Sequence, residues 1–147
     1  MPDYFVVYCD GGARGNPGPA GIGVAIYKND VCIQDIADYI GQATNNQAEY
    51  RAVIAALEAI EKLGGKGSTI DFVMDSELIV EQLNGRYKVK NAELKPLYAR
   101  VQELIHSLGA DVSFRGVPRK ENSYADRLVN RAIDRTTANR KRRPEIS

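Results

Sequence analysis

The chain has 147 residues, 44% hydrophobic and 27% charged, a size and composition that suit one globular domain needing neither disulfides nor a structural metal to fold. Its two cysteines, Cys9 and Cys32, sit in apolar segments without CxxC or Cys/His ligand spacing, which argues against a zinc module and predicts two buried thiols. No run approaches the ~18 apolar residues of a membrane span and no secretory pattern opens the chain, so a soluble, cytoplasmic protein is expected.

The net charge of +1 conceals an asymmetry: residues 1–114 carry 10 Lys+Arg against 15 Asp+Glu, and residues 115–147 carry 10 against 4. An anionic partner near the C-terminal third would explain this, and so would a solvated helix face followed by a flexible tail.

Tyr4–Asp10 reads as a strand running into a turn-forming stretch, Gly11–Gly21 (GGARGNPGPAG). Ile22–Lys28 and Val31–Ile40 flank Asn29-Asp30 as a hairpin, so three antiparallel strands open the domain. The period then changes. Val53, Ala56, Leu57, Ile60 and Leu63 share one stripe of a helix over Thr44–Leu63, stopped by Gly64-Gly65.

Ile70–Met74 is a short strand, and Ser76–Leu83 a short helix ended by Asn84-Gly85. A further helix starts near Pro96, carries Leu97, Val101, Leu104, Ile105 and Leu108, and stops at Gly109. Asp111–Gly116 is the last strand. A final helix from Asn122 bears Ala125, Leu128, Val129, Ala132 and Ile133 and fades into the polar, basic run Thr136–Ser147. The order β-β-β-α-β-α-α-β-α predicts an α/β domain, a mixed sheet covered by helices.

Four carboxylates stand at the ends of these elements. Asp10 and Asp75 close apolar strands, where open α/β sheets tend to place their sites, although Asp75 before Ser76 reads equally well as a helix-entry residue. Glu49 is in phase with Val53, Ala56 and Ile60, which turns it toward the core, and Asp126 shares phase with Val129 and Ile133. Favourable placement near a helix N-terminus is the plainer reading of both. If the four converge, their repulsion calls for a divalent cation, and hard oxygen donors suit Mg²⁺ or Mn²⁺.

Four segments in unbroken order, YCDGGARGNPGPAG (8–21), TNNQAEYRAVIAAL (44–57), MDSELIVEQL (74–83) and ENSYADRLVNRA (121–132), resemble type 1 ribonuclease H, and the likeness runs from Tyr4 to about Thr137. The resemblance implies a ribonuclease H-like fold, with a mixed five-stranded sheet flanked by about four helices. It implies an endonuclease that cuts the RNA strand of RNA–DNA hybrids, leaving 5′-phosphate and 3′-hydroxyl ends, in the service of replication and repair. Asp10, Glu49, Asp75 and Asp126 would then bind two Mg²⁺ or Mn²⁺ ions. Gly11, Gly12, Asn16, Thr44, Asn45 and Asn46 would contact the hybrid, where 2′-hydroxyls distinguish RNA from DNA. Residues 1–137 would form the catalytic domain and 138–147 a basic, flexible tail, in a monomer with no obligate protein partner.

The chain departs from the family pattern in four places. The linker NGRYKVKNAE (84–93) is too short for the basic helical extension of some members, which leaves Arg86, Lys88 and Lys90 as weak phosphate contacts or solvated loop residues. No separate hybrid-binding module is expected. The loop VPRKEN (117–122) lacks the histidine common there, so Arg119 becomes a candidate catalytic residue with electrostatic roles only, and Lys120 its alternative. Glu77 replaces a common glutamine, and the only histidine, His106, reads as an exposed helix residue. The basic run Arg140-Lys141-Arg142-Arg143 either touches phosphates or only solubilises the tail. Two other readings share the fold: a binding module that has lost activity, disfavoured by the presence of all four carboxylates, and a resolvase or other nuclease, disfavoured by the segments implied to read 2′-hydroxyls.

Overall fold

The structure, a computed structural model, describes residues 3–142, with side chains through residue 136. The expected order of elements is present: β1 (Tyr4–Ala13), β2 (Gly18–Lys28), β3 (Val31–Ala43), α1 (Asn45–Lys62), β4 (Thr69–Met74), α2 (Glu77–Leu83), α3 (Lys95–Leu108), β5 (Asp111–Gly116) and α4 (Ser123–Arg142). One turn of 3-10 helix, Arg119–Asn122, leads into α4. The five strands form one mixed sheet in the order β3-β2-β1-β4-β5, antiparallel across β1–β3 and parallel from β1 to β4 to β5.

Local chemistry accounts for the boundaries. Thr44 caps α1 through a capping box in which its side chain accepts from the Gln47 N–H and the Gln47 side chain accepts from the Thr44 N–H. Ser76 caps α2. Asn29 and Asp30, at φ 50° and 69°, make the tight β2–β3 turn with the two residue types that best tolerate that region after glycine.

Alternate residues of β1 (Phe5, Val7, Cys9) pack with Val24 and Ile26 of β2, Phe72 and Met74 of β4, Val53, Leu57 and Ile60 of α1, and Leu104 and Leu108 of α3 in one buried cluster. Full burial of each large side chain here contributes roughly 1.5–3 kcal/mol. The other face of β1–β3 is covered by α4.

The structure corrects three expectations. The stretch Gly11–Gly21 is mostly strand, because β1 runs on to Ala13 and β2 starts at Gly18, leaving only Arg14–Pro17 as the turn. Cys9 is buried as expected but Cys32 is exposed. It lies at the start of the edge strand β3, where Val31, Cys32 and Ile33 are all exposed, so neither face of the sheet is covered there. Finally, α4 runs past Thr136 to Arg142, so helical backbone outlasts the apolar stripe. Residues 143–147, including Arg143 of the basic run, lie outside the described residues.

Candidate active site

The β1–β4 register ends with Tyr8 beside Val73, so two residues further on Asp10, still paired to β2, lies beside Asp75, the first residue past the end of β4. Strand alternation turns Asp10 to the α4 face and Gly11 to the α1 face. Across the β1–β2 pair Asp10 faces Gly23. A Cβ at Gly23 would lie 2.2 Å from the Ala125 carbonyl oxygen, so the glycine lets α4 lie directly on β2 and sets the next residue, Asp126, over Asp10.

A Cβ at Gly11 would likewise lie 2.2 Å from the Ala48 carbonyl carbon and 2.5 Å from the Glu49 nitrogen. The first turns of α1 therefore rest on bare backbone, which brings Glu49 to the strand end. The Gly11 N–H donates to Asp10 Oδ1 at 3.0 Å and to Glu49 Oε1 at 3.2 Å.

Asp10, Glu49 and Asp75 each offer an oxygen within 4.8 Å of the others. Asp126 comes within hydrogen-bonding reach of Asp10. Glu49 is only 6% exposed and Asp10 8%, and Glu49 Oε2 is buried with no partner.

Burial pushes the Asp10 carboxyl up to about 7, assisted by the charges of Asp75 and Asp126 and opposed by a hydrogen bond with Glu49. Burial, then the Asp10 charge, pushes Glu49 well above the usual carboxylate range. Among the described residues no cation is paired with any of the four carboxylates. A shared proton or a divalent ion is the remaining way to relieve the repulsion. The orphaned Glu49 oxygen and the all-oxygen donor set fit Mg²⁺ or Mn²⁺.

An open cavity of about 520 Å³ spreads from this cluster, lined among others by Gly12, Arg14, Asn45, Arg119, Asp126 and Asn130. Arg119, the first residue of the 3-10 turn, is exposed beside the carboxylates. The hairpin and α1 interlock at the cavity edge: the Ala13 N–H donates to Asn45 Oδ1 at 2.8 Å and the Asn45 N–H to Asn16 Oδ1 at 3.0 Å. Both asparagines are exposed and keep their side-chain N–H groups for another acceptor. Thr44 is committed to its cap, and Asn46 lies half-buried in the first turn of α1.

Sequence reasoning passed over two groups. Asn122, 1% exposed, donates to the Cys9 carbonyl at 2.7 Å and to Asp75 Oδ1 at 3.5 Å, tying the entry of α4 to β1 and to the cluster. Its place three residues before the Ala125 stripe is the only signal it left in the chain. Arg14 bridges the hairpin to α4 through Asp134 at 2.6 Å and Asn130 at 3.3 Å. Arg86 gives bidentate hydrogen bonds to Glu81 at 2.8 and 2.9 Å and so is not a free phosphate contact, whereas Lys88 and Lys90 are in no ion pair among the described residues. Glu77 and His106 are exposed.

Residues 8–132 match the family described as reverse transcriptase-like. Bifunctional protein Rv2228c of Mycobacterium tuberculosis is 45% identical over 131 residues, covering 88% of this chain and 35% of that protein. Ribonuclease HI of Halobacterium salinarum is 42% identical over 128 residues, covering 86% of this chain and 63% of that one. This chain thus spans between about a third and two thirds of the length of these relatives. The crystal structure of LC11-RNase H1, a protein isolated from compost, in complex with RNA/DNA hybrid superposes with a TM-score of 0.86 at 43% identity, covering 90% of this chain and 99% of that one. With a family match over most of its length, a nearly full-length overlay on ribonuclease H1 and the carboxylates gathered where β1 and β4 meet, the chain belongs to the type 1 ribonuclease H family.

Proposed function

We propose that this protein is an endonuclease that hydrolyses the RNA strand of RNA–DNA hybrids with divalent metal ions, leaving 5′-phosphate and 3′-hydroxyl ends. The observation that carries the reading is the gathered set of carboxylates with one buried, unpartnered oxygen on Glu49, in a chain of this family. Asp10, Glu49, Asp75 and Asp126 would hold two Mg²⁺ or Mn²⁺ ions, which supply an activated water and stabilise the leaving 3′-oxygen.

The remaining work falls to the chain's own groups. The free amides of Asn16 and Asn45, with Asn46 and the backbone of Gly12, hold the hybrid's sugar edges and backbone so that the RNA strand lies over the carboxylates, while Thr44 and Gly11 place these groups through the α1 cap and the contacts to Asp10 and Glu49. Arg119 steadies the phosphate by charge. Residues 1–137 act as the catalytic unit of a cytoplasmic monomer that clears RNA from hybrids during replication and repair.

The test offers labelled RNA–DNA hybrid, double-stranded RNA, single-stranded RNA and duplex DNA, each with Mg²⁺, Mn²⁺ or EDTA. Metal-dependent cutting of the hybrid's RNA strand alone is expected. Equal cutting of duplex DNA, or cutting in EDTA, would remove the proposal.

A further inference from the structure

Along the solvent side of α4, Arg127, Arg131 and Arg135 follow one another four residues apart, and all three are exposed. Eight residues of helix place them on one face over about 12 Å. The Arg127 guanidinium lies over the Tyr124 ring at 5.6 Å, which positions the charge without neutralising it. None of the three is in an ion pair among the described residues. The acidic residue between them, Asp134, is taken by Arg14 at 2.6 Å. Like charges at this spacing weaken a helix, so the row is held against local stability.

The row is continuous with the cavity at the carboxylates. Asn130 lines that cavity and also the shallow surface formed by Arg127, Arg131, Asp134 and Arg135. The short segment between α2 and α3 offers less: its Arg86 is committed to Glu81, and only Lys88 and Lys90 stay outside ion pairs there among the described residues.

From this juxtaposition we infer that the α4 arginine row is a binding track for the sugar–phosphate backbone of the hybrid where it extends beyond the active site. Charge complementarity selects the occupant: successive phosphates along a strand rise about 3.4 Å per nucleotide, so a row of about 12 Å spans three to four of them. The contacts are to phosphate, which adds affinity and orientation without sequence preference. The inference rests on the hybrid-cleaving reading for which nucleic acid lies there.

The test compares Arg127→Gln/Arg131→Gln/Arg135→Gln with the parent, both carrying Asp10→Asn so that the hybrid stays uncut. Fluorescence anisotropy against salt is read with a long hybrid that overruns the site and a short one confined to it. For the long hybrid the slope of log affinity against log salt should fall by about 0.9 per arginine engaged, with about a tenfold or greater loss of affinity at moderate salt. The short hybrid should keep its slope. The corresponding triple Lys variant, which keeps the charge, should keep most of the long-hybrid slope.

An unchanged slope on the long hybrid overturns the inference, as does an equal fall on both lengths, which would mean a diffuse effect of net charge. If the triple variant loses binding to an acidic polypeptide while its hybrid slope stays at the parent value, the row serves an acidic protein and the inference also fails. Should the unsubstituted protein fail to cut hybrid at all, the functional reading falls by itself. The same arginines are then judged by the salt slope on long duplex DNA, where no change again overturns the track.

Discussion

The carboxylate cluster and the arginine row are both assemblies of like charge, and α4 contributes to both, yet they obey different physics. Asp10 and Glu49 are less than a tenth exposed, so their mutual repulsion is unscreened and is answered by a raised proton affinity and by an unpartnered oxygen. The arginines stand in water, where salt screens them within about 8–10 Å and each costs the fold little. A buried set of like charges needs a specific counter-ion to exist; an exposed set can wait for a partner. The first therefore suits chemistry and the second suits affinity.

The sharpest way to break this contrast is to neutralise a buried carboxylate. Asp10→Asn or Asp75→Asn is expected to reduce hydrolysis by more than about 100-fold while the fold melts no earlier than the parent, because a repulsion is relieved. Steady-state turnover in Mg²⁺ together with a thermal melt checks both halves. Near-normal turnover would mean the ligand set is wrong.

Next in size is the glycine seat that sets α4 over the strand end. Gly23→Ala forces a methyl into the space of the Ala125 carbonyl and should cost about 1–3 kcal/mol or more, read as a fall in denaturant midpoint. Loss of stability without loss of activity would show that Asp126 does not depend on this close approach.

The metal-free protein gives a subtler contrast. The folded-state value of Asp10 stands near 7, well above its ordinary 3.8, so the folded protein holds this proton more tightly than the unfolded chain. The stability linked to this group is full below about pH 4 and is lost as pH rises to about 7, by an amount on the order of a few kcal/mol. Melting temperature without divalent ions should fall across that window and recover on adding Mg²⁺, and Asp10→Asn should flatten the profile. A rise of stability over the same window in parent but not in variant would reverse the assignment.

Exposed charges should give the smallest effects on the fold. Arg119→Ala is expected to lower turnover at saturating hybrid by about tenfold without abolishing it, and Arg119→Lys to restore part of the rate, since charge survives while bidentate geometry does not. A rate equal to the parent's would move attention to Lys120. Arg131→Gln should shift stability by less than about 0.5 kcal/mol in a melt, and a larger loss would mean the row has a structural role after all.

The linear sequence carried the order of elements, because apolar periods of two and 3.6 and the signals at Thr44, Ser76, Asn29-Asp30 and Gly109 act within a few residues of each other. It also carried the inward turn of Glu49, which followed from its phase with Val53 and Ile60. What failed was read from residue type alone. Gly11–Gly21 reads as a turn because glycine permits turns, but Gly11 and Gly23 are there to let α1 and α4 touch the sheet, and only the packed helices reveal that. Cys32 reads as buried from its apolar neighbours, yet burial depends on whether a second layer covers the start of β3. The meeting of Asp10 with Asp75 rests on a parallel pairing between residues 65 apart in the chain, and that of Asp10 with Asp126 on helix docking. Such contacts depend on how separate elements are placed in space, which no local rule of propensity or period can supply.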